Sequence, residues 1–319
     1  MTQLIPYMTQ STNDPWAETR PTQTAIPVSI PKKKTSQRSG WSKWQSCGCG
    51  CSVPILGIAL GLVILFVIYL LAPMRTNVLL LGIDQTPPEN AVGRSDTIIL
   101  STINPLKPYV GLLSIPRDLW VNIPGIGENR INTAHFFAEA YAKDSGPIAT
   151  METIRQNFGV DIDYYLRLRF EGFRDVIDAM GGVDLVLPEP MAGYPAGPLH
   201  LTGNKALAFA RHRLGSDDFF RMEHTQFLLK ATLRQMLSFN KWARIPIVAA
   251  AASRSIDTNI PTWQWPRLLV AILRLGPDGI DNRTISRDMV TPFTTAEGAS
   301  VLLPDWGRIN PVLLEIFGQ

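Results

Sequence analysis

The chain has 319 residues, 45% of them hydrophobic, with 30 Lys+Arg against 27 Asp+Glu and a net charge of +3. That length and apolar content suit one or two domains with a sizeable core. The first segment supplies Arg20, Lys32, Lys33, Lys34, Arg38 and Lys43 against Asp14 and Glu18. The remainder is therefore near neutral, which gives no support to nucleic-acid binding. All three cysteines, Cys47, Cys49 and Cys51, precede residue 52, so no disulfide is expected to stabilise the rest.

Residues 1–46 are rich in Thr, Ser, Pro and Gln, lack sustained apolar periodicity and read as disordered. Val53 to Ala72 is an uncharged apolar run of the length that crosses a bilayer as a helix. It lies too far from the N-terminus for an ordinary cleaved signal peptide. The Lys/Arg excess on its N-terminal side predicts that residues 1–50 are a cytoplasmic tail. Residues 51–73 are then a single transmembrane helix in the cell membrane, and 74–319 an extracytoplasmic domain. The spacing of Cys47-Gly-Cys-Gly-Cys51 is not the paired spacing of zinc sites. Reversible acylation is open there, and reduced thiols without a specific role are the simpler reading.

Three short apolar runs follow: Asn77 to Ile83, Thr97 to Ile103 and Tyr109 to Ile115. Runs rich in Val, Ile and Leu, bounded by Gly and Pro, predict buried strands. The short links predict an antiparallel meander. Its geometry brings the end of the first strand, the start of the second and the end of the third to one edge. Asp84, Arg94, Asp96, Arg117 and Asp118 should converge there. Charged strand ends are often merely solvated, but five of both signs at one edge suggest more. Carboxylates suit a hard divalent cation, and arginine forks suit phosphate oxygens.

Farther on, Asn129 to His135 leads into a predicted helix that runs through about Lys143, and helices are predicted at Ile148 to Phe158 and Gly172 to Met180. Strands are predicted at Tyr164 to Phe170 and Val183 to Leu187, with a Pro/Gly loop over 188–198. A short helix from Lys205 to His212 ends in Arg211 and Arg213, and a long one runs from Phe219 to Phe239. Arg221 lies in the first turn of that long helix, where it opposes the dipole and calls for an anionic partner, Asp217 or Asp218 being the nearest. Two apolar helices (Ile245 to Arg254, Trp263 to Leu275), a strand near Arg283 to Val290 and a helix after Asp305 complete the chain. The alternation predicts a layered α/β domain with a mixed sheet. The apolar face of Phe173, Val176 and Ile177 reads as ordinary core, with an apolar slot between sheet and helices as the alternative.

The segments Leu79-Leu-Leu-Gly-Ile-Asp84, Gly93-Arg-Ser-Asp-Thr97, Leu113-Ser-Ile-Pro-Arg-Asp118, Arg130-Ile-Asn-Thr-Ala134, Asp178-Ala-Met-Gly-Gly-Val-Asp184 and Leu201 to Arg213 occur in this order outside one membrane helix. Together they resemble the LytR-CpsA-Psr (LCP) family, over about Thr76 to Phe239. The resemblance implies a three-layer α/β/α sandwich. It also implies a phosphotransferase that attaches a glycopolymer from an undecaprenyl-pyrophosphate carrier to peptidoglycan by a phosphodiester. Asp84 and Asp96 match the family's magnesium-associated aspartates, so Mg2+ or Mn2+ is the expected cofactor. Arg94, Arg117, Arg211 and Arg213 match its pyrophosphate-binding arginines, Asp118 the acidic residue beside the third strand, and Arg221 the arginine opening the long helix. The usual Arg-Gln pair after that arginine is replaced by His224 and Thr225, with Gln226 one step later. Thr225 shares the helix face of Arg221; Gln226 is carried as a candidate phosphate ligand.

The expected partners are the lipid-linked polymer, peptidoglycan and the membrane. Asp84, with Asp96, Arg117 and Asp118, is expected to carry the chemistry. A polyprenyl-pyrophosphate pyrophosphatase and a non-catalytic membrane-anchored lipid-binding regulator are the alternatives.

Overall fold

The computed structural model describes residues 52–71, 74–84, 92–212, 218–276 and 279–318. The chain divides into two units, Met1–Leu56 and Gly57–Gln319. The cysteine cluster, the tail, Arg213 and Asp217 lie outside the described residues, as does the side chain of Asp218.

Helix α1 (Ser52–Leu71) covers 20 residues, and its described side chains run from Ile55 to Leu70. Among the described residues, no helix is long and apolar enough to cross a membrane. Strands β1 (Thr76–Asp84), β2 (Arg94–Asn104) and β3 (Tyr109–Ile115) form the meander, both pairings antiparallel. A hairpin of β4 (Trp120–Ile123) and β5 (Gly127–Arg130) leads into α2 (Asn132–Tyr141) and α3 (Gly146–Phe158). Gly159 ends α3 at φ 68°, a left-handed turn that suits glycine. Next come β6 (Tyr164–Arg169), α4 (Phe170–Met180), β7 (Val183–Leu187), β8 (Gly197–Leu201), α5 (Gly203–Arg211) and α6 (Asp218–Met236). The remainder is α7 (Ile245–Ser255), β9 (Ile256–Thr258), α8 (Trp265–Leu275), β10 (Asp281–Thr284), β11 (Val290–Thr294), β12 (Ser300–Pro304) and α9 (Trp306–Phe317).

The main sheet has the order β10-β3-β2-β1-β6-β9. It is mixed: β1 runs parallel to β6 and β3 to β10, while the other neighbours are antiparallel. Side chains alternate across the sheet, so each strand feeds two cores. Leu79, Leu81, Leu100 and Leu113 pack with Ile154 of α3 and Leu313 of α9. Val78, Ile99 and Leu112 pack on the other face with Leu268 and Ala271 of α8, and with Leu229 of α6. Helices thus cover both faces. A further core joins Ile177 of α4, Leu185 of β7, Phe209 of α5 and Val248 of α7.

Three local expectations are corrected. Phe170 starts α4 instead of ending β6. The loop expected over 188–198 ends at 196, where β8 begins and pairs with β7. The expected strand from Arg283 to Val290 splits in two. β10 ends at Thr284, a turn held by the Met289 amide on the Ser286 carbonyl (3.0 Å) intervenes, and β11 pairs with β12 away from the main sheet.

Candidate active site

Asp84 ends β1 and stands across from Arg94 at the start of β2, with a register irregularity between Gly82 and Ile83. Asp96 follows two residues on. β3 ends at Ile115, across from Ile98, and the chain then delivers Arg117 and Asp118 to the same edge. The meander therefore does what its sequence implied and gathers these residues.

Two helices complete the cluster. α5 ends with Arg211, whose guanidinium donates to the Asp84 carboxylate. The same guanidinium lies 4.5 Å from the centre of the Phe170 ring, a stacking geometry that lysine does not copy. α5 is aimed by its start, where the Gly203 amide donates to Asp178 at 2.7 Å. A side chain at Gly203 would collide with the backbone of Arg174. Arg221 in α6 is 6% exposed and donates to the Asp96 carbonyl at 2.7 Å. Its guanidinium also stands 3.8 Å from the Asp96 carboxylate. Among the described residues Asp96 is thus an anionic partner of Arg221; Asp217 and the Asp218 side chain, the expected ones, lie outside them. Arg117 makes the closest pair with Asp96, at 2.7 Å.

Asp118 lies 3.5 Å from Arg117 and 3.6 Å from Arg130. It faces a clamp rather than open space. Arg130, which the sequence singled out only as part of a segment, also donates to the Ser300 carbonyl at 2.9 Å. Arg94 is exposed, its guanidinium 5.5 Å from the Phe136 ring. Gln226 is a correction: its amide donates at 2.8 Å to Ser114, to the Arg283 carbonyl and to Thr284. It ties β3 to β10, and its donors are already engaged. Five residues past Arg221 it has turned about 140° around the helix. Thr225 stays beside Arg221 and bonds its carbonyl at 2.8 Å.

Behind the arginines lies an apolar cavity of about 220 Å³. Its walls include Gly82, Phe170, Phe173, Val176, Ile177 and Leu228, with Arg211, Arg221 and Thr225 also lining it. The face expected to be plain core therefore has two roles: all three side chains line the cavity, while Ile177 is buried in the α4 core and Phe173 and Val176 pack against it. Phe170 and Phe136 were missed as site residues. Nothing in a strand-like or helix-like pattern marks an aromatic as the seat of an arginine.

Beside this edge sits a buried polar network. Arg167 on β6 is 7% exposed and pairs with Glu139 at 3.0 Å, Asp144 at 2.7 Å and Asp257 at 2.8 Å. Burial alone would raise the Glu139 carboxyl, but amide donors from Asp144 and Gly146 and the Arg167 charge outweigh it and hold it below its ordinary value. His135 donates through Nδ1 to the Gly93 carbonyl at 3.2 Å, immediately before Arg94. Burial lowers its pKa from 6.5 to about 4, against an opposing pull from Glu139. Among the described residues no group of three or more His, Cys, Asp or Glu could hold a metal ion.

Comparisons with known proteins agree with this geometry. Residues 72–309 match the LytR_cpsA_psr family. A polyisoprenyl-teichoic acid--peptidoglycan teichoic acid transferase, TagU of Oceanobacillus iheyensis, is 33% identical over 249 residues, covering 76% of this chain and 75% of its own length. The corresponding TagV of Bacillus subtilis is 32% identical, covering 58% of this chain and 49% of its own length. The crystal structure of B. subtilis TagV superposes with a TM-score of 0.64 at 27% identity, covering 77% of this chain and 98% of that one. With the family pattern spanning most of the sequence and its arginines and aspartates gathered at one sheet edge, the chain belongs to the LytR_cpsA_psr family.

Proposed function

We propose that this chain is a phosphotransferase that moves a glycopolymer from a polyprenyl-pyrophosphate carrier to peptidoglycan, leaving a phosphodiester link. One observation carries the reading. Arg211 and Arg221 line the apolar cavity and also pair with Asp84 and Asp96. A ligand with a greasy tail and a doubly charged phosphate head matches that junction. The names of the TagU and TagV relatives point to the same class of transfer.

Asp84 and Asp96 offer hard oxygen donors at one strand edge, each held by arginine. Mg2+ or Mn2+ is commonly bound by one or two carboxylates together with substrate phosphates and water, so two aspartates are a fitting set and a third protein ligand is not required. When bound, such an ion offsets phosphate charge. The chain's own groups do the rest. Arg117, Arg211 and Arg221 grip the pyrophosphate oxygens and stabilise charge that grows on them during transfer. Arg94, on the exposed side, meets the polymer-bearing phosphate. Asp84 accepts the proton of the acceptor sugar hydroxyl as its oxygen bonds to that phosphorus. The bond to the lipid phosphate breaks, and polyprenyl phosphate leaves with the electron pair.

The membrane setting belongs to the same proposal. The cationic tail precedes an apolar run, and side chains of α1 such as Leu56 (74%) and Leu65 (63%) are exposed. A helix apolar all round and uncovered by protein suits a bilayer. On this reading the apolar run Val53 to Ala72, of which α1 shows the side chains Ile55 to Leu70, crosses once and the catalytic domain faces outward.

The test is a reconstituted transfer assay with a short lipid-linked glycan and peptidoglycan fragments. The expected products are polymer bound to peptidoglycan and polyprenyl phosphate. Release of free phosphate-ended polymer as the main product would replace transfer by hydrolysis. Tight lipid binding without turnover would leave a regulator.

A further inference from the structure

Helix α8 is apolar on two sides. Leu268 and Ala271 are buried against the sheet. On the other side Trp265 (40%), Leu269 (53%) and Leu273 (45%) are exposed, with Trp263 (56%) just before them. Residues four apart stack on one helix face, so Trp265, Leu269 and Leu273 form a continuous stripe, with Trp263 exposed just before its start. Single exposed apolar residues are ordinary, but a contiguous stripe headed by two tryptophans marks an interaction surface.

The start of α8, where the stripe begins, is where α1 joins the domain. The Tyr69 hydroxyl, near the end of α1, donates to the Trp263 carbonyl, and the two rings lie 6.0 Å apart. Arg267, 1% exposed, donates to the carbonyl of Met74, just beyond α1. The start of α8 is thereby tied to the point where the chain leaves its apolar helix. Trp and Tyr favour the membrane–water interface, where one edge is dry and the other wet.

We infer that the outer stripe of α8, Trp265, Leu269 and Leu273, together with Trp263 just before it, seats the domain on the surface of the lipid bilayer. The inference rests on the reading of α1 as a membrane helix and adds a second, peripheral contact to it. The occupant is the bilayer and not a protein, because the stripe begins beside the residues that bind the end of α1. Leu229 of α6 packs in the core beneath α8 and also lines the apolar cavity. A domain seated on α8 holds that cavity close to the lipid it must accept.

The full chain is reconstituted in phosphatidylcholine–phosphatidylglycerol vesicles, with and without brominated acyl chains, which quench tryptophans in contact with lipid. α1 contains no tryptophan. The wild type should lose at least twice as large a fraction of its emission to bromine as the Trp263→Phe/Trp265→Phe variant. Leu269→Glu with Leu273→Glu, both at exposed positions, should reduce quenching of the wild-type tryptophans in the same direction. Equal fractional quenching in wild type and the double phenylalanine variant overturns the surface. Alkaline carbonate extraction reads α1 separately. A chain that stays with the vesicles yet shows equal quenching loses the α8 contact but keeps its anchor. A chain that washes off loses the anchor, and the quenching result still decides the stripe.

Discussion

Asp96 holds two arginines at once, and that shapes what its removal does. Its carboxylate stands 2.7 Å from Arg117 and 3.8 Å from Arg221, and Arg221 has little water to turn to. Asp96→Ala should cost about 3 kcal/mol, the lower end of the range for breaking a buried pair, so its loss of transfer would mix instability with chemistry. Asp96→Asn keeps an oxygen acceptor for Arg117 and removes only the charge. It should melt above Asp96→Ala, because an acceptor is kept, while losing transfer and metal response together. Full transfer by the asparagine variant would remove Asp96 from the reaction. Arg211 permits the converse test. Lysine keeps its charge but loses both the planar fork and the stacking on Phe170. Arg211→Lys should retain the melting temperature and lose at least tenfold in transfer, equivalent to about 1.4 kcal/mol in the transition state. A variant that turns over normally would make Arg211 a helix-end charge and nothing more.

His135 gives a residue-scale prediction in pH. Its folded pKa is lowered from 6.5 to about 4 by burial. Between those values the unfolded chain binds more protons than the folded one, so stability falls as the pH drops. The contribution is fully present above about pH 6.5 and is lost progressively toward pH 4, amounting to about 3 kcal/mol at most. His135→Asn retains a donor for the Gly93 carbonyl and does not titrate. Urea denaturation of both proteins at pH 7 and pH 5 should show a steeper loss in the wild type. Parallel losses would place His135 in a wetter setting than its burial implies.

At the scale of elements, the meander was legible because it is local. Val, Ile and Leu runs with short links specify three antiparallel strands, and the strand ends then dictate which charges meet. Helix phase was legible too: it put Thr225, and not Gln226, beside Arg221. The partners of Gln226 were not legible, since Ser114, Arg283 and Thr284 reach it only through the parallel pairing of β10 with β3. The β4–β5 hairpin escaped notice because strands of four residues with mixed polarity carry little periodic signal. Arg130 therefore gained its role only once β5 carried it to Asp118. The register irregularity at Gly82 has a consequence of its own. A Cβ there would lie 2.9 Å from that of Thr97 and 3.4 Å from the Phe170 ring. Thr97 is rooted in β2 and has little freedom to yield. Gly82→Ala should destabilise by about 1–3 kcal/mol through overcrowding and also displace Phe170 from beneath Arg211. Thermal melting and transfer should both fall. Loss of stability with transfer intact would show that the Phe170 seat is dispensable.

For the whole molecule, the site is a meeting of surfaces from distant parts of the chain. β1 and β2 supply Asp84 and Asp96, the chain just after β3 supplies Arg117 and Asp118, α5 and α6 supply Arg211 and Arg221, and α4 supplies part of the apolar wall. The arrangement separates recognition of the head from recognition of the tail, and that separation can be measured. Val176 lines the cavity and is half-buried, so Val176→Phe can project into the space without opening the core around Ile177. It should leave the charged edge untouched and shorten the room for the lipid. Excluding two methylenes from an apolar site costs about 1.6 kcal/mol, which corresponds to roughly fifteen-fold in affinity. The rise in KM should therefore appear with a long polyprenyl donor and vanish with a short-chain donor of the same pyrophosphate head, at equal kcat. Equal effects on long and short donors would mean that the tail lies elsewhere and that the cavity serves only packing. An unchanged KM for both, with donor-induced protection of the Phe173 and Leu228 segments from hydrogen exchange retained, would mean that the ring has swung outward to solvent; the same KM without that protection would mean a tail bound outside the cavity.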